Sequence, residues 1–147
     1  MHLEKHYNEF RRYTPETHKV IAIDLDGTIW EDRAYPGFGK VFDFAIEVIN
    51  GMVMDGYHVV IWTCRGGDNL ELCKEELFRL GLNKTIQFNE HATYYTSKYP
   101  IQSPKIAASL YLDNSAFGSP DYKNLWFELG TLFLSFETLV KCGLYIL

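Results

Sequence analysis

The chain predicts an α/β protein, a three-layer sandwich around a central parallel sheet. Three observations carry that prediction. Val20–Asp24, Tyr57–Thr63 and Ser109–Asp113 are short apolar runs with little alternation, as in strands buried on both faces. The segments between them place apolar residues at helical spacing. A length of 147 residues, 47% of them hydrophobic, suits one core rather than two. Strands alternating with helices require crossover connections, and these put the strands parallel with cover on both faces.

Each element follows in order. Residues 1–18 are polar and peripheral, with a short helix expected before Pro15. Val20–Asp24 is the first strand. Trp30–Lys40 is a loop rich in glycine and aromatic residues. Phe42, Ala45, Ile46, Ile49 and Val53 mark a helix that Gly56 closes. Tyr57–Thr63 is the second strand. After the turn at Arg65–Asp68, Asn69–Leu80 is amphipathic and ends at Gly81. Thr85–Asn89 is a third, shorter strand, and Ser109–Asp113 a fourth. Ser119-Pro120 reads as a helix start. Leu125, Leu129, Leu132, Phe133, Phe136, Leu139 and Val140 then share a helical face, although Gly130 interrupts it. A fifth strand over 131–136 is the alternative. The whole chain, 1–147, reads as a single domain.

Composition excludes several classes. A net charge of −5 argues against an extended nucleic-acid surface. No run is long and apolar enough for a membrane span, and the N-terminus lacks the apolar centre of a signal peptide. Cys64, Cys73 and Cys142 show no paired spacing, so reduced thiols and a cytoplasmic location are expected. "GFGK" is no P-loop, because Val41 and Ala34 stand where it needs Ser or Thr and the first Gly. Cys64-Arg65 is no tyrosine-phosphatase loop, since Leu70 stands where its arginine belongs; Cys64 is read as a buried thiol. His2 and His6 read as solvated rather than as metal ligands.

Ligands of parallel sheets bind at the carboxyl ends of the strands. Asp24, Thr63 and Asp113 each end a predicted strand, so two carboxylates and a hydroxyl reach one rim, with Asp26 just beyond. Two acids held together repel, and a cation between them relieves this. Carboxylates suit Mg²⁺, which needs only a couple of them beside water and substrate phosphate. Lys105, Thr63 and the backbone and guanidinium of "RGG" add groups that bind phosphate.

These residues resemble the haloacid dehalogenase (HAD) superfamily of Mg²⁺-dependent phosphatases and phosphotransferases. "DLDGT" (Asp24–Thr28) is similar to its first motif, Thr63 to the second, Lys105 to the third and the acid of "LYLDN" to the fourth. The order Asp, Thr, Lys, Asp is the family's order; response-regulator receivers carry similar types in another order. The likeness covers roughly residues 19 to 118. It implies a Rossmann-like fold. Asp24 would be the nucleophile that forms an aspartyl-phosphate, and Asp26 the general acid and then the base. Asp24, Asp113 and the Asp26 carbonyl would hold Mg²⁺. Thr63 and Lys105 would bind phosphoryl oxygens, with Gly27, Thr28 and Arg65 also in the phosphate-binding set. Arg65 has a solvated loop position as its alternative.

The expected activity is therefore Mg²⁺-dependent hydrolysis of phosphate monoesters. The intervals between motifs leave no room for a cap domain, so large phosphorylated substrates fit the expectation, nucleic acid only as a phosphorylated end. The open crevice is expected between Trp30–Lys40 and His91–Pro104, with Tyr94, Tyr95 and Tyr99 at its mouth or packed on the rim. One departure stands out. Asn114 occupies the place where many family members carry a second acid, which either weakens the metal site or supports it by a hydrogen bond. It keeps open a rival reading, a catalytically silent module that binds a phosphorylated ligand or a protein partner. The C-terminal apolar stripe is read as core, with a homodimer face as the alternative.

Overall fold

The computed structural model describes residues 5–32, 34–101 and 103–141, with the side chains of 8–131 in those spans. The side chains of His2, His6 and Cys142, and of the apolar stripe beyond 131, lie outside the described residues. The element order is α1 (Lys5–Phe10), β1 (Val20–Ile23), α2 (Ala45–Met54), β2 (His58–Ile61), α3 (Gly67–Arg79), β3 (Gln87–Phe88), α4 (Thr93–Thr96), β4 (Leu110–Leu112) and α5 (Tyr122–Lys141).

The four strands form one sheet in the order β3-β2-β1-β4. Every pairing is parallel, with Val20 opposite His58, Ile21 opposite Leu110, and Val60 opposite Gln87. This is a three-layer, Rossmann-like α/β fold. Each strand is shorter than its apolar run, because pairing stops where the chain turns away at the rim.

The alternation of side chains divides the core between two faces. Ile21, Ile23, Val59, Ile61 and Leu112 join Ile49, Met52, Cys73, Leu77, Leu125, Trp126 and Leu129 from α2, α3 and α5. Val20, Ala22 and Val60 form a smaller cluster with Ala92 and Ile106, flanked by Tyr94, Tyr95 and Tyr111. The first two crossovers therefore share a face. The connection from β3 to β4 returns across the other face, as right-handed crossovers demand when strand order reverses. That reversal sits between β1 and β4, where a parallel sheet opens a crevice.

The expected C-terminal helix is α5, and 131–136 lies within it rather than in a fifth strand. Leu125, Trp126 and Leu129 are seated against the sheet at helical spacing. Gly130 interrupts the apolar stripe because Phe44 lies against it: a Cβ there would sit 2.3 Å from Phe44 Cβ. Between β1 and β2 lies one helix, and between β2 and β4 lie α3, β3 and the one-turn α4. Among the described residues no helix is long and apolar enough to cross a membrane.

Candidate active site

All four strands end in polar residues at the same rim: Asp24 after β1, Thr63 beyond β2, Asn89 after β3 and Asp113 after β4. After Asp24 the chain reverses within a few residues. Ile29 N–H donates to Leu25 O at 2.9 Å and Gly27 N–H to Trp30 O at 2.8 Å. Gly27 has φ of 80°, in the left-handed region that glycine enters without strain. The Trp126 indole N–H donates to Thr28 O and ties this turn to α5.

The turn sends the two acids into different surroundings. Asp24 is half-buried beneath the rim. Burial, opposed by a backbone hydrogen bond from Leu25 but reinforced by Asp113, Asp26 and Asp32, pushes its carboxyl up to about 7. Asp113 anchors the loop after β4, its Oδ1 accepting from Ser115 N–H at 2.8 Å. Behind them Tyr122 is buried, and burial with these two acids lifts its hydroxyl to about 12 against a backbone bond from Asp113.

Asp26 is held in an ion pair. Its Oδ1 accepts from Trp30 Nε1 at 2.8 Å and from Arg65 Nη2 at 2.8 Å, and its Oδ2 from Arg65 Nε at 2.9 Å. Burial alone would raise this carboxyl, but the Arg65 and Trp30 bonds and the Arg65 charge hold it below the ordinary value. A carboxylate so held offers a proton to a leaving group less readily than the expected general acid would.

Arg65 is not the phosphate ligand or solvated loop residue expected of it. It is 3% exposed. Its Nη1 donates to Pro36 O, Asn69 Oδ1 and Cys73 Sγ. The guanidinium carbon lies 5.2 Å from the Trp30 ring centre and 5.3 Å from that of Tyr35. With every part of the fork engaged, Arg65 has no free edge for a phosphoryl group. Its role is to fix Asp26.

Thr63 is buried at the rim, and its Oγ1 accepts from Arg65 N–H at 3.2 Å. Thr28 is wholly buried, its Oγ1 accepting from Asn114 N–H at 3.0 Å, so it binds the two turns together rather than facing a substrate. Lys105 is exposed, with Nζ 5.3 Å from the Tyr111 ring centre. The segment around Lys105 is pinned by His91, whose Nδ1 accepts from Ala107 N–H at 3.2 Å and whose Nε2 meets Ser103 O at 2.6 Å.

Asn114 lies among the acids. With its NH₂ turned toward the strand end, the amide donates to Asp26 O at 3.0 Å and to Asp24 Oδ2 at 3.0 Å; the opposite turn would set oxygen against oxygen. It approaches this closely because residue 27 is glycine: a Cβ there would sit 2.3 Å from the Asn114 side-chain amide. In that orientation Asn114 makes a hydrogen bond to the strand-end carboxylate.

Two groups escaped the sequence reading. Asn89, at φ 53°, accepts from Thr63 N–H at 2.8 Å and donates to Arg65 O at 3.1 Å, bracing the loop after β2. Its signal was present: asparagine ending a strand tolerates the left-handed region and bonds nearby backbone. Trp30, assigned to an open loop, is wholly buried under Asp26. Two further expectations are corrected. Cys64 is exposed, and the buried thiol is Cys73. Tyr94 stacks on His58 at 5.0 Å and Tyr95 OH meets Ser109 Oγ at 3.2 Å, both where strands begin. They pack against the sheet far from the rim, because α4 covers the amino ends of the strands.

The donor set suits a small hard cation in kind: two carboxylates on neighbouring strands, one with its ionisation opposed by the other, and a carbonyl that converges with Asp24 Oδ2. Among the described residues no three His, Cys, Asp or Glu side chains gather closely enough to hold a metal, so any such site rests on two carboxylates and backbone. A cavity of about 430 Å³ opens beside Asp113 along the outer edge of β4, walled by Phe10, Tyr13, Phe117 and Tyr122.

A solved structure of a conserved protein from Bacteroides thetaiotaomicron is similar to this chain. It is 26% identical, covers 79% of this chain and 90% of its own, and superposes with a TM-score of 0.60. No protein-family model matches the chain. No curated protein matches it.

Proposed function

We propose that this protein is a magnesium-dependent phosphoric monoester hydrolase of the haloacid dehalogenase type. The observation that carries the reading is Asp24 itself: a carboxylate at the end of a central strand, beside Asp113 and the Asp26 carbonyl, with its ionisation held up to about 7 by burial and its acidic neighbours. Negative charge concentrated at a sheet's carboxyl edge is what a cation would neutralise, and that neutralisation would let an anionic phosphoryl group approach the carboxylate.

In this reading Asp24 attacks phosphorus, the bond to the leaving oxygen breaks, and the phosphoryl group passes to Asp24. Water then attacks that phosphorus and frees inorganic phosphate, restoring the carboxylate. Splitting hydrolysis in two lowers each barrier. Asp24, Asp113 and the Asp26 carbonyl would hold Mg²⁺, which when bound supplies charge neutralisation. Asp26 stays ionised against Arg65, so it gives little proton to the leaving group and serves better as base in the second step. Leaving groups that are already acidic are therefore favoured.

A second reading rests on that same Asp26–Arg65 pair: a module that binds phosphate esters without cleaving them. Phosphate release from a panel of monoesters, aryl and alkyl, with and without Mg²⁺, separates the two. Turnover that needs Mg²⁺ and vanishes in Asp24→Asn supports the hydrolase. Binding of the same esters with no release in wild type, at millimolar Mg²⁺, would replace it by the module.

A further inference from the structure

The Asp24 carboxylate and the Asp26 carbonyl point at one place, and a protein group already stands in it. With its NH₂ turned toward the strand end, the Asn114 amide nitrogen lies 3.0 Å from Asp24 Oδ2, 3.0 Å from Asp26 O and 3.2 Å from Thr28 Oγ1. We propose that this amide is a built-in stand-in for the cation: it satisfies the converging oxygens in the metal-free protein, and a magnesium ion binds only when the amide swings aside. The proposal rests on the magnesium-dependent reading above and adds a reason for the residue types around it.

Three features support a built device rather than a chance contact. The Asn114 backbone N–H is fixed separately, on Thr28 Oγ1 at 3.0 Å, so the side chain can leave while the loop stays. Thr28 is itself wholly buried and anchored through its carbonyl to Trp126. A Cβ at residue 27 would lie 2.3 Å from the amide and drive it out, and residue 27 is glycine. An amide NH₂ carries a partial positive charge, enough to donate to two oxygens at hydrogen-bond distance but not to cancel the repulsion between carboxylates. It therefore holds the site together weakly and yields to a full charge.

The competition sets a cost on metal affinity. Two hydrogen bonds, one of them to a carboxylate, must be given up, so removing the amide should tighten Mg²⁺ binding about tenfold. Two measurements test this. In ¹⁵N spectra of the metal-free wild type, the Asn114 side-chain NH₂ pair, identified by its loss in Asn114→Asp, should be protected from solvent exchange. Saturating Mg²⁺ should abolish that protection. In calorimetric titration with MgCl₂, Asn114→Ala and Asn114→Asp should bind about tenfold more tightly than wild type. An NH₂ pair that exchanges freely in the metal-free protein would overturn the proposal. So would wild-type Mg²⁺ binding that Asn114→Ala does not tighten, since Asn114→Asp adds a carboxylate ligand and tightens binding on either account; that outcome leaves the hydrolase reading intact. Absence of Mg²⁺ binding in all three proteins would sink the metal reading and the competition together.

Discussion

Asp24 and Asp26 are separated by one residue and shifted in opposite directions, so they load the fold in different pH ranges. Asp24 is raised, so between 3.8 and about 7 the folded state holds its proton more tightly than the unfolded chain. The metal-free protein should then lose stability as pH rises through that window. Asp24→Asn should remove this slope and melt above wild type at neutral pH in EDTA; a variant melting below wild type there would show that the charge of Asp24, buried and set among other acids, does not burden the fold. Asp26 is lowered, so its contribution is present above the ordinary carboxylate value and is lost as pH falls through its folded value. Replacing Arg65 by Met leaves that carboxylate half-buried with Trp30 alone, and breaking such a pair should cost roughly 3 kcal/mol in urea unfolding. Arg65→Lys should recover little of it, because a single ammonium cannot span both oxygens. A loss below about 0.5 kcal/mol would mean the pair behaves as an exposed one.

At the scale of elements, α5 and the loop before α2 meet through a missing side chain. Phe44 stands at φ 68° at the start of α2, and its Cβ fills the place where residue 130 would have one. Alanine is the better helix former by about 1 kcal/mol. Gly130→Ala should nevertheless destabilise by about 1 to 3 kcal/mol, since a packed core absorbs an added methyl by strain. Phe44→Gly removes both the clash and the left-handed strain, so in that background Gly130→Ala should become neutral or stabilising. Additivity of the two changes in denaturant unfolding would refute the contact. The same logic explains why a helix-breaking residue sits in mid-helix: the stripe of Leu125 and Leu129 announces the helix, while the neighbour that needs the gap lies 86 residues away.

For the molecule as a whole, the layers decide what can reach the rim. The thin layer of α4 lies at the amino ends of the strands, and the loop through Tyr35 and Phe38 lies at the carboxyl ends over Arg65. Tyr35 is 68% exposed and Phe38 42%. Tyr94→Ala should thus lower the melting temperature and leave the ratio of kcat/KM between bulky and small phosphoesters unchanged. Tyr35→Ala or Phe38→Ala should change that ratio. The opposite pattern would place the substrate over the wrong end of the sheet.

The strands, the helices and their parallel arrangement were legible because burial on both faces writes apolar runs, and helical faces write a period, into the chain itself. The rim position of Asp24, Thr63 and Asp113 followed from the same runs, since each ends one. What those residues face was not legible. Whether Asp26 gives a proton or pairs with Arg65 depends on a partner 39 residues away, and whether Asn114 idles or bridges Asp24 and Asp26 depends on the turn at Gly27. The side of the sheet taken by Tyr94 depended on where the return crossover runs. Local patterns record whether a side chain is buried. Only the folded chain decides which charges and donors share that burial, because electrostatic partners are chosen by distance in space and leave no period in sequence.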